Sequence, residues 1–210
     1  MQNHLKSKVW GLSPAKAFAK RTFDFFCAVF GLTATLWIII LAWILATLDT
    51  RRNGFFTQER VGRNGRIFRV IKIRTMREVP GMKSTVTTRA DQRITSLARF
   101  WRKSKIDELP QLINVLKGDM SFVGPRPDVP GYADKLQRDD LIVLSVRPGI
   151  TGPAALKYRH EEALLAEQDD PEQYNDNVLW PDKVKINRKY VENCSFWGDV
   201  HYILKTLVEW

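Results

Sequence analysis

Residues 104–128 read SKIDELPQLINVLKGDMSFVGPRPD, and the rest of the chain is organised around them. Two adjacent carboxylates, Asp107 and Glu108, stand ahead of Pro110, and an apolar-periodic run follows up to Gly118. Proline fits only the first turn of a helix, and glycine is a common residue at a helix end. We therefore predict a helix that begins near Asp107 and ends at Gly118.

The carboxylate pair allows two interpretations. A carboxylate at a helix N-terminus is favoured by the helix dipole, so Asp107 fits an ordinary helix cap. The same place binds phosphate through free backbone amides, where an ionised Asp107 fits a nucleophile that forms an acyl phosphate. In that case Glu108 can hold Mg²⁺ against diphosphate oxygens. Arg126, fixed between two prolines, then offers a cation at small entropic cost.

Composition bounds the class of protein. With 210 residues the chain forms one domain, or one domain plus an attachment segment. Its formal net charge of +10 predicts an anionic partner, which can be nucleic acid, phospholipid or a phosphorylated substrate. Two cysteines provide neither a disulfide framework nor a metal cluster. Three scattered histidines argue against a Ser-His-Asp or histidine–metal site.

The N-terminal quarter predicts membrane attachment. Residues 25–48 contain no charged side chain, and about 20 apolar residues cross a bilayer core. Residues 1–19 are basic and amphipathic, as in a helix at a membrane surface. We therefore divide the chain into a basic amphipathic segment (1–19), a membrane-embedded helix (20–50) and a cytosolic domain (51–210).

The orientation of that helix is open on charge and length alone. Lysines and arginines flank both ends, at Lys16, Lys20, Arg21, Arg51 and Arg52. The positive-inside rule draws both ends to the cytoplasm, which favours a re-entrant helix over a span. The length favours a span, and residues 25–48 contain no proline to break the helix.

Residues 51–78 carry nine Lys/Arg against two Glu. Segments 55–60 and 67–73 are rich in β-branched and aromatic residues, and an Asn-Gly pair between them predicts a tight β-hairpin. The hairpin either rests on anionic lipid or presents Lys72 and Arg74, two apart on one strand, to a phosphate.

The remaining segments alternate loops and helices. We predict a loop at 79–94, a basic helix at 94–103 and a second proline turn that carries Arg147. After these come an acidic helix and loop within 159–178, a helix at about 183–193, and an amphipathic helix from 196 to the end. The apolar stripe of that last helix comprises Phe196, Val200, Ile203, Leu204 and Leu207.

Five stretches carry a family resemblance. They are KRTFD at 20–24, FTQERVG at 56–62, FRVIKIRTM at 68–76, IDELPQLINVLKGDMSFVGPRP at 106–127 and VRPGITG at 146–152. With these, the chain resembles the bacterial sugar transferases, the monotopic phosphoglycosyl transferases. The resemblance covers roughly residues 20–155 in order.

The resemblance implies transfer of a phosphosugar from a UDP-sugar to undecaprenyl phosphate, with release of UMP. Asp107 matches the nucleophile that forms the covalent intermediate, and Glu108 matches its Mg²⁺-associated partner. Lys72, Arg126 and Arg147 lie in motifs that surround the diphosphate. The product opens assembly of a surface glycan such as O-antigen, capsule or exopolysaccharide.

The resemblance also implies an architecture and a location. The expected fold is α+β and mostly helical, a small cytosolic catalytic domain with a β-hairpin. One N-terminal re-entrant helix and amphipathic interfacial helices attach it to the bacterial inner membrane, with the catalytic domain facing the cytoplasm. The expected partners are the UDP-sugar, undecaprenyl phosphate and membrane lipids, without nucleic acid; a homodimer stays open.

Three departures from the family pattern bear on function. The Ser-Pro that commonly breaks the membrane helix is absent near Leu36-Trp37. PAALKYRHEE follows Gly152 where many members have WAQVNGR, so the sugar is not carried over. Asn187 replaces a late acidic residue, for which the nearby Asp182 is a candidate substitute in substrate binding.

A competing hypothesis is a non-catalytic, membrane-attached scaffold that binds anionic lipid or nucleic acid. It rests on the +10 charge and on the aromatics interleaved with basic residues at 51–78. The adjoining apolar helix makes lipid the expected anion in that case.

Overall fold

The computed structural model describes residues 13–77 and 93–208. In these ranges the helices are α1 (Pro14–Thr50), α2 (Ser96–Ser104), α3 (Gln111–Lys117), α4 (Pro153–Lys157), α5 (Glu161–Ala166), α6 (Pro171–Tyr174), α7 (Trp180–Glu192) and α8 (Phe196–Val208). The strands are β1 (Phe55–Val61), β2 (Ile67–Ile73), β3 (Ser121–Val123) and β4 (Gly149–Thr151). The predicted α+β, mostly helical class is confirmed. Most of the predicted loop at 79–94 and most of the predicted basic amphipathic segment at 1–19 lie outside the described residues.

Helix α1 is long and apolar enough to cross a membrane, with a mean hydropathy of 2.4 in its most apolar window. Pro14 occupies its first turn, where the missing N–H costs nothing, and the helix continues unbroken for 37 residues, about 56 Å. Its exposed face is almost entirely apolar and includes Phe18, Phe26, Phe30, Leu36, Trp37, Leu41, Ile44 and Leu48. Such a face is unusual in water and supports the predicted membrane attachment.

The opposite face of α1 packs on the rest of the chain from one end to the other. Near its start, Arg21 donates to the carbonyl oxygens of Val115 and Leu116 at 2.5 and 2.7 Å. Near its end, Asp49 accepts a 2.9 Å bond from Arg77. Between these contacts the buried positions of α1 are Asp24, Ala28, Ile39, Ala42 and Ala46. Both ends of the helix therefore hold the same domain.

The predicted hairpin is present as β1 and β2, which pair antiparallel with Phe55 opposite Ile73 and Val61 opposite Ile67. The turn is longer than the predicted tight one, because residues 62–66 separate the paired ends. Asn64 and Gly65 adopt left-handed conformations, with φ of 57° and 74°, which is what this residue pair tolerates best.

The predicted helix start near Asp107 is wrong. Residues Ile106–Glu108 form a 3₁₀ turn, and α3 begins only at Gln111. Backbone amides here bond three residues back, as from Leu109 to the Ile106 oxygen at 3.2 Å. Pro110 lacks the N–H that would continue an α-helical ladder, so the segment stays in the tighter form. The predicted helix end is confirmed, since Gly118 caps α3 with φ of 87°.

The C-terminal half is more helical than predicted. The segment expected to be a helix and a loop contains α5, α6 and a π-helical turn, Asn175–Leu179, which leads directly into α7. The amphipathic C-terminal helix is confirmed as α8. A short parallel pair, β3 with β4, joins Ser121 to Gly149 and Val123 to Thr151; the sequence did not predict it.

Candidate active site

The 3₁₀ turn places Glu108 at the centre of a buried charge cluster. Its Oε1 accepts from Arg126 at 2.6 Å and from Lys72 Nζ at 3.3 Å, and its Oε2 accepts from Arg126 at 3.3 Å. Lys72 comes from β2, and Arg126 from the turn after β3. Three separate elements thus converge on one carboxylate that is 8 % exposed.

Electrostatics keep Glu108 ionised. Burial alone would raise the pKa of this carboxyl, but the charges of Arg126 and then Lys72 outweigh it and lower the pKa well below its usual range. The same contact raises the pKa of Arg126. Burial lowers the pKa of Lys72, although Glu108 opposes that shift. Glu108 is therefore a fixed negative charge held by two cations.

Asp107 lies next to Glu108 in the same turn, but its carboxylate has a different environment. Its side chain is buried, at 6 % exposure, and its Oδ1 has no hydrogen-bond partner among the described residues. Burial, and after it the charge of Glu108, raise the pKa of Asp107 to about 6, against the opposing charges of Lys72 and Lys105. A buried, unpaired carboxylate with a raised pKa is typical of a functional group.

The turn GPRP presents Arg126 through close backbone packing. Gly124 donates to the Thr151 oxygen at 3.0 Å, and Gly149 donates to the Pro125 oxygen at 2.9 Å. A Cβ on Gly149 would lie 2.1 Å from the Gly124 nitrogen, so this crossing requires glycine. The two motifs GPRP and RPGITG are therefore two sides of one backbone contact.

Three neighbouring residues were missed by the sequence reasoning. Arg60 donates to the Pro127 oxygen at 3.2 Å, and burial followed by the charge of Arg126 lowers its pKa to about 10. Asp128 lies among Lys183, Arg60 and Arg126, and burial raises its pKa to about 6. Arg102 on α2 pairs with Glu162, and its positive charge opposes the rise in the pKa of Asp107. Arg60 lies within the quoted stretch 56–62 and Asp128 ends the stretch 104–128, which was the available signal.

Three predicted site residues have other partners. Arg74 donates to the Asn53 oxygen at 2.8 Å, so it does not share a target with Lys72. Arg147 donates to the Gly118 oxygen at 2.8 Å, at the end of α3. Asp182 accepts from Lys157 at 2.6 Å and from Tyr158 at 2.5 Å. Of the predicted set, the structure gathers Asp107, Glu108, Lys72 and Arg126.

The residues at the site fit a metal ion only when it is shared with a substrate. No group of three or more His, Cys, Asp or Glu side chains converges within residues 13–77 and 93–208. Magnesium usually takes one or two protein carboxylates and completes its octahedron with water and substrate phosphates. Asp107 and Glu108 supply that minimum, and Asp107 Oδ1 is an oxygen without a competing donor in the described structure.

A second buried polar cluster joins α1 to α8, and we call it the α1–α8 latch. Lys20 Nζ binds Asp199 Oδ2 at 2.5 Å and the Val123 oxygen at 3.1 Å. Tyr190 donates to Asp199 Oδ1 at 2.7 Å. In the same motif as Lys20, Asp24 Oδ1 accepts from the Phe122 amide at 3.1 Å. The KRTFD motif thus fixes the apolar helix to β3, the strand that leads to Arg126.

Comparisons with known proteins identify relatives of the chain. The chain is 33 % identical over 201 residues to a UDP-N-acetylgalactosamine-undecaprenyl-phosphate N-acetylgalactosaminephosphotransferase of Aeromonas hydrophila, covering 93 % of the chain and 44 % of that protein. It is 33 % identical over 225 residues to an undecaprenyl-phosphate galactose phosphotransferase of Salmonella typhimurium, covering 98 % of the chain and 42 % of that protein.

A shorter relative, the uncharacterized sugar transferase EpsL of Bacillus subtilis, is 35 % identical over 192 residues, 90 % of the chain and 85 % of that protein. The chain spans less than half the length of the Aeromonas and Salmonella proteins. The profile of the family described as bacterial sugar transferase matches residues 15–210. The chain therefore belongs to the bacterial sugar transferase family.

Proposed function

We propose that the chain transfers a sugar 1-phosphate from a UDP-sugar to undecaprenyl phosphate. The name of the Aeromonas relative gives a UDP-sugar and undecaprenyl phosphate, and the name of the Salmonella relative gives undecaprenyl phosphate and galactose. The observation that carries this proposal is the asymmetric carboxylate pair. Glu108 is bound by two cations, whereas Asp107 Oδ1 is buried without a partner in the part of the chain that the structure describes. A non-catalytic scaffold that binds anions would gain nothing from a buried carboxylate whose Oδ1 lacks a partner in the described structure. The two named phosphotransferases among the relatives do not favour the scaffold hypothesis either.

In the first step an Asp107 carboxylate oxygen attacks the β-phosphorus of the UDP-sugar. An O–P bond forms, the bond from that phosphorus to the bridging oxygen breaks, and UMP leaves with the bonding electrons. In the second step an oxygen of undecaprenyl phosphate attacks the same phosphorus and displaces the Asp107 carboxylate. The product carries the sugar on an undecaprenyl diphosphate, and the free enzyme is regenerated.

Lys72 and Arg126 stabilise charge in both steps. Each contacts Glu108, and both lie close enough to influence the pKa of that carboxyl. Fixed cations that need no reorganisation stabilise the charge that develops on phosphoryl oxygens. Glu108, with Asp107 beside it, would hold Mg²⁺ on the diphosphate, where the ion lowers the repulsion between an anionic nucleophile and an anionic substrate.

The contacts of α1 support a one-sided membrane arrangement. The domain contacts this helix near both ends, at Arg21 and at Asp49. A straight span would put these two contacts on opposite sides of the membrane, so the polar domain that makes both of them would have to pass through the apolar core, which is costly. We therefore place both ends of α1 on the cytoplasmic face of the bacterial inner membrane, with the helix embedded from one side and the catalytic domain in the cytoplasm.

Cysteine labelling tests this placement. In a chain with Cys27 and Cys194 replaced by serine, Lys16→Cys and Arg52→Cys should both resist an impermeant maleimide in intact spheroplasts. Both should react after permeabilisation. Labelling of Lys16→Cys from outside would contradict the one-sided arrangement and support a span.

A panel of UDP-sugars tests the activity. The full chain in membranes, with Mg²⁺ and undecaprenyl phosphate, should release UMP from one or a few members of the panel. The Aeromonas and Salmonella relatives are named for different sugars, so N-acetylgalactosamine and galactose donors come first. Glu59→Gln removes an exposed carboxylate of β1 and should keep full turnover, so it serves as the matched control for substitutions of Asp107. Absence of UMP release across the panel from folded protein would overturn the proposal.

A further inference from the structure

Gln111, the first residue of α3, carries a buried amide that the fold does not use. The residue is 2 % exposed, and its Nε2 has no hydrogen-bond partner within residues 13–77 and 93–208. A buried amide donor without a partner loses the hydrogen bonds that it would make to water, so such groups are few in folded proteins. An unpaired donor of this kind is therefore a candidate for binding a ligand.

The backbone places this amide beside Asp107. Residues Ile106–Glu108 form the 3₁₀ turn, the two residues that follow keep right-handed helical angles, and α3 then begins at Gln111. Residues four apart in such a segment are neighbours on the same side, one turn apart. Asp107 Oδ1, an acceptor, and Gln111 Nε2, a donor, are therefore neighbours. Neither atom bonds to the other or to any group in the described part of the chain.

The side chains on either side of Gln111 both face β2. Asn114 binds the backbone of that strand through both ends of its amide, at 3.0 and 2.8 Å. Glu108 accepts from Lys72 of the same strand at 3.3 Å. At 100° per residue, Gln111 falls between Asn114 and Glu108 around the helix axis, about 40° from Asp107. Its amide thus lies on the side where Lys72 meets the carboxylate pair.

We propose that Gln111 Nε2 donates a hydrogen bond to a nonbridging oxygen of the phosphoryl group that Asp107 attacks. This inference rests on the proposed function and adds a residue that binds the reacting group. A phosphoryl group suits both unpaired atoms, because it offers an electrophilic phosphorus to Asp107 and an anionic oxygen to Gln111. A metal ion alone would suit only Asp107, since a cation accepts no hydrogen bond.

Gln111 transfers no proton in this step. The Asp107 oxygen forms the new O–P bond, the bond to the bridging oxygen breaks, and its electrons leave with UMP. Negative charge on the nonbridging oxygens is stabilised by a donor that is already fixed in place and needs no reorganisation. Burial between α3 and β2 fixes the amide in this way.

Gln111→Met tests the inference, because methionine is a flexible, unbranched side chain that fills the same space without the donor. The single-turnover rate of UMP release should fall about a hundredfold, the effect of removing one such donor. KM for the UDP-sugar should stay within about threefold, since the loss is in the transition state. The denaturant midpoint of unfolding in detergent should not fall, because Nε2 has no partner in the described structure.

A sulfur-substituted donor identifies the atom that Gln111 binds. Replacing one nonbridging oxygen on the β-phosphorus of the UDP-sugar by sulfur gives two diastereomers, and sulfur is a weak hydrogen-bond acceptor. In the unchanged chain, one diastereomer should react about tenfold more slowly on account of the lost bond. In Gln111→Met, sulfur at that position should cost no such factor. A residue that only supports the fold would slow all three substrates equally.

The matched control is Gln168→Met, which removes an amide that donates to the Leu164 oxygen at 3.2 Å, after α5. It should keep the full rate of UMP release. If the unchanged chain releases UMP and Gln111→Met does so equally fast, or if sulfur slows both chains equally, the inference is overturned and the proposed function stands. If the unchanged chain releases no UMP from any donor, both are overturned.

Discussion

The charge cluster at Glu108 and the α1–α8 latch are both buried, but they differ in whether their polar atoms have hydrogen-bond partners. In the latch, Lys20, Asp199 and Tyr190 are bound to one another and to a backbone oxygen. At the active site Glu108 is equally well bound, yet Asp107 Oδ1 beside it has no partner in the described residues. Leaving a buried acceptor unpaired costs stability, so the difference separates a cluster that holds the fold from one that awaits a ligand.

Asp107→Asn should give the largest effect, and the effect should be on activity and not on stability. The amide keeps the shape of the side chain but cannot attack phosphorus, so UMP release should fall by about 10⁴-fold or more. The free energy of unfolding should not decrease, because burial disfavours the lost charge and its Oδ1 has no partner among the described residues. Turnover within tenfold of the unchanged chain would exclude Asp107 as the nucleophile.

Asp199→Asn should have the opposite effect. It leaves the buried ammonium of Lys20 without its carboxylate, and breaking such a pair costs about 3 kcal/mol. Denaturant unfolding in detergent should show that loss. UMP release per folded molecule should remain within about twofold, since the latch touches no reacting atom. The control is Glu192→Gln, which breaks an exposed pair with Arg188 and should leave the free energy of unfolding almost unchanged, because solvent screens the pair.

The pH dependence of the first step sharpens the contrast further. Asp107 attacks as a carboxylate, and burial raises its pKa to about 6. The rate of UMP release should therefore be maximal above pH 6 and fall about tenfold per unit below it. Stopped-flow measurement in the absence of the lipid acceptor isolates this step. A midpoint near 4, the value of an ordinary aspartate, would show that Asp107 is not desolvated as described.

The sequence predicted the parts of the site that lie within single motifs. The hairpin that carries Lys72 and the proline turn that carries Arg126 are where local signals placed them. The Asp107-Glu108 pair was found by its motif, but it lies in a 3₁₀ turn and not at the start of a helix. Each depends on a turn residue or on alternating apolar residues that act over a few positions. The C-terminal amphipathic helix was predicted for the same reason.

Features that depend on distant segments were not predicted. The parallel pairing of β3 with β4 joins residues 28 positions apart, and no local pattern specifies it. The true partner of Arg147 is the carbonyl of Gly118, a contact that exists only once α3 is folded. Likewise, the burial that raises the pKa of Asp107 comes from packing around the 3₁₀ turn. Motif reading found the reactive residues but not the environment that makes them differ.

Intact-protein mass spectrometry tests the central claim most directly. The full chain is incubated with Mg²⁺ and the UDP-sugar that releases UMP, without lipid acceptor, and quenched in acid. We predict a mass increase equal to one sugar phosphate, located by peptide mapping on Asp107, and none in Asp107→Asn. Adding undecaprenyl phosphate before the quench should remove it. A mass increase that persists in Asp107→Asn, or UMP release that requires both substrates together, would contradict the account.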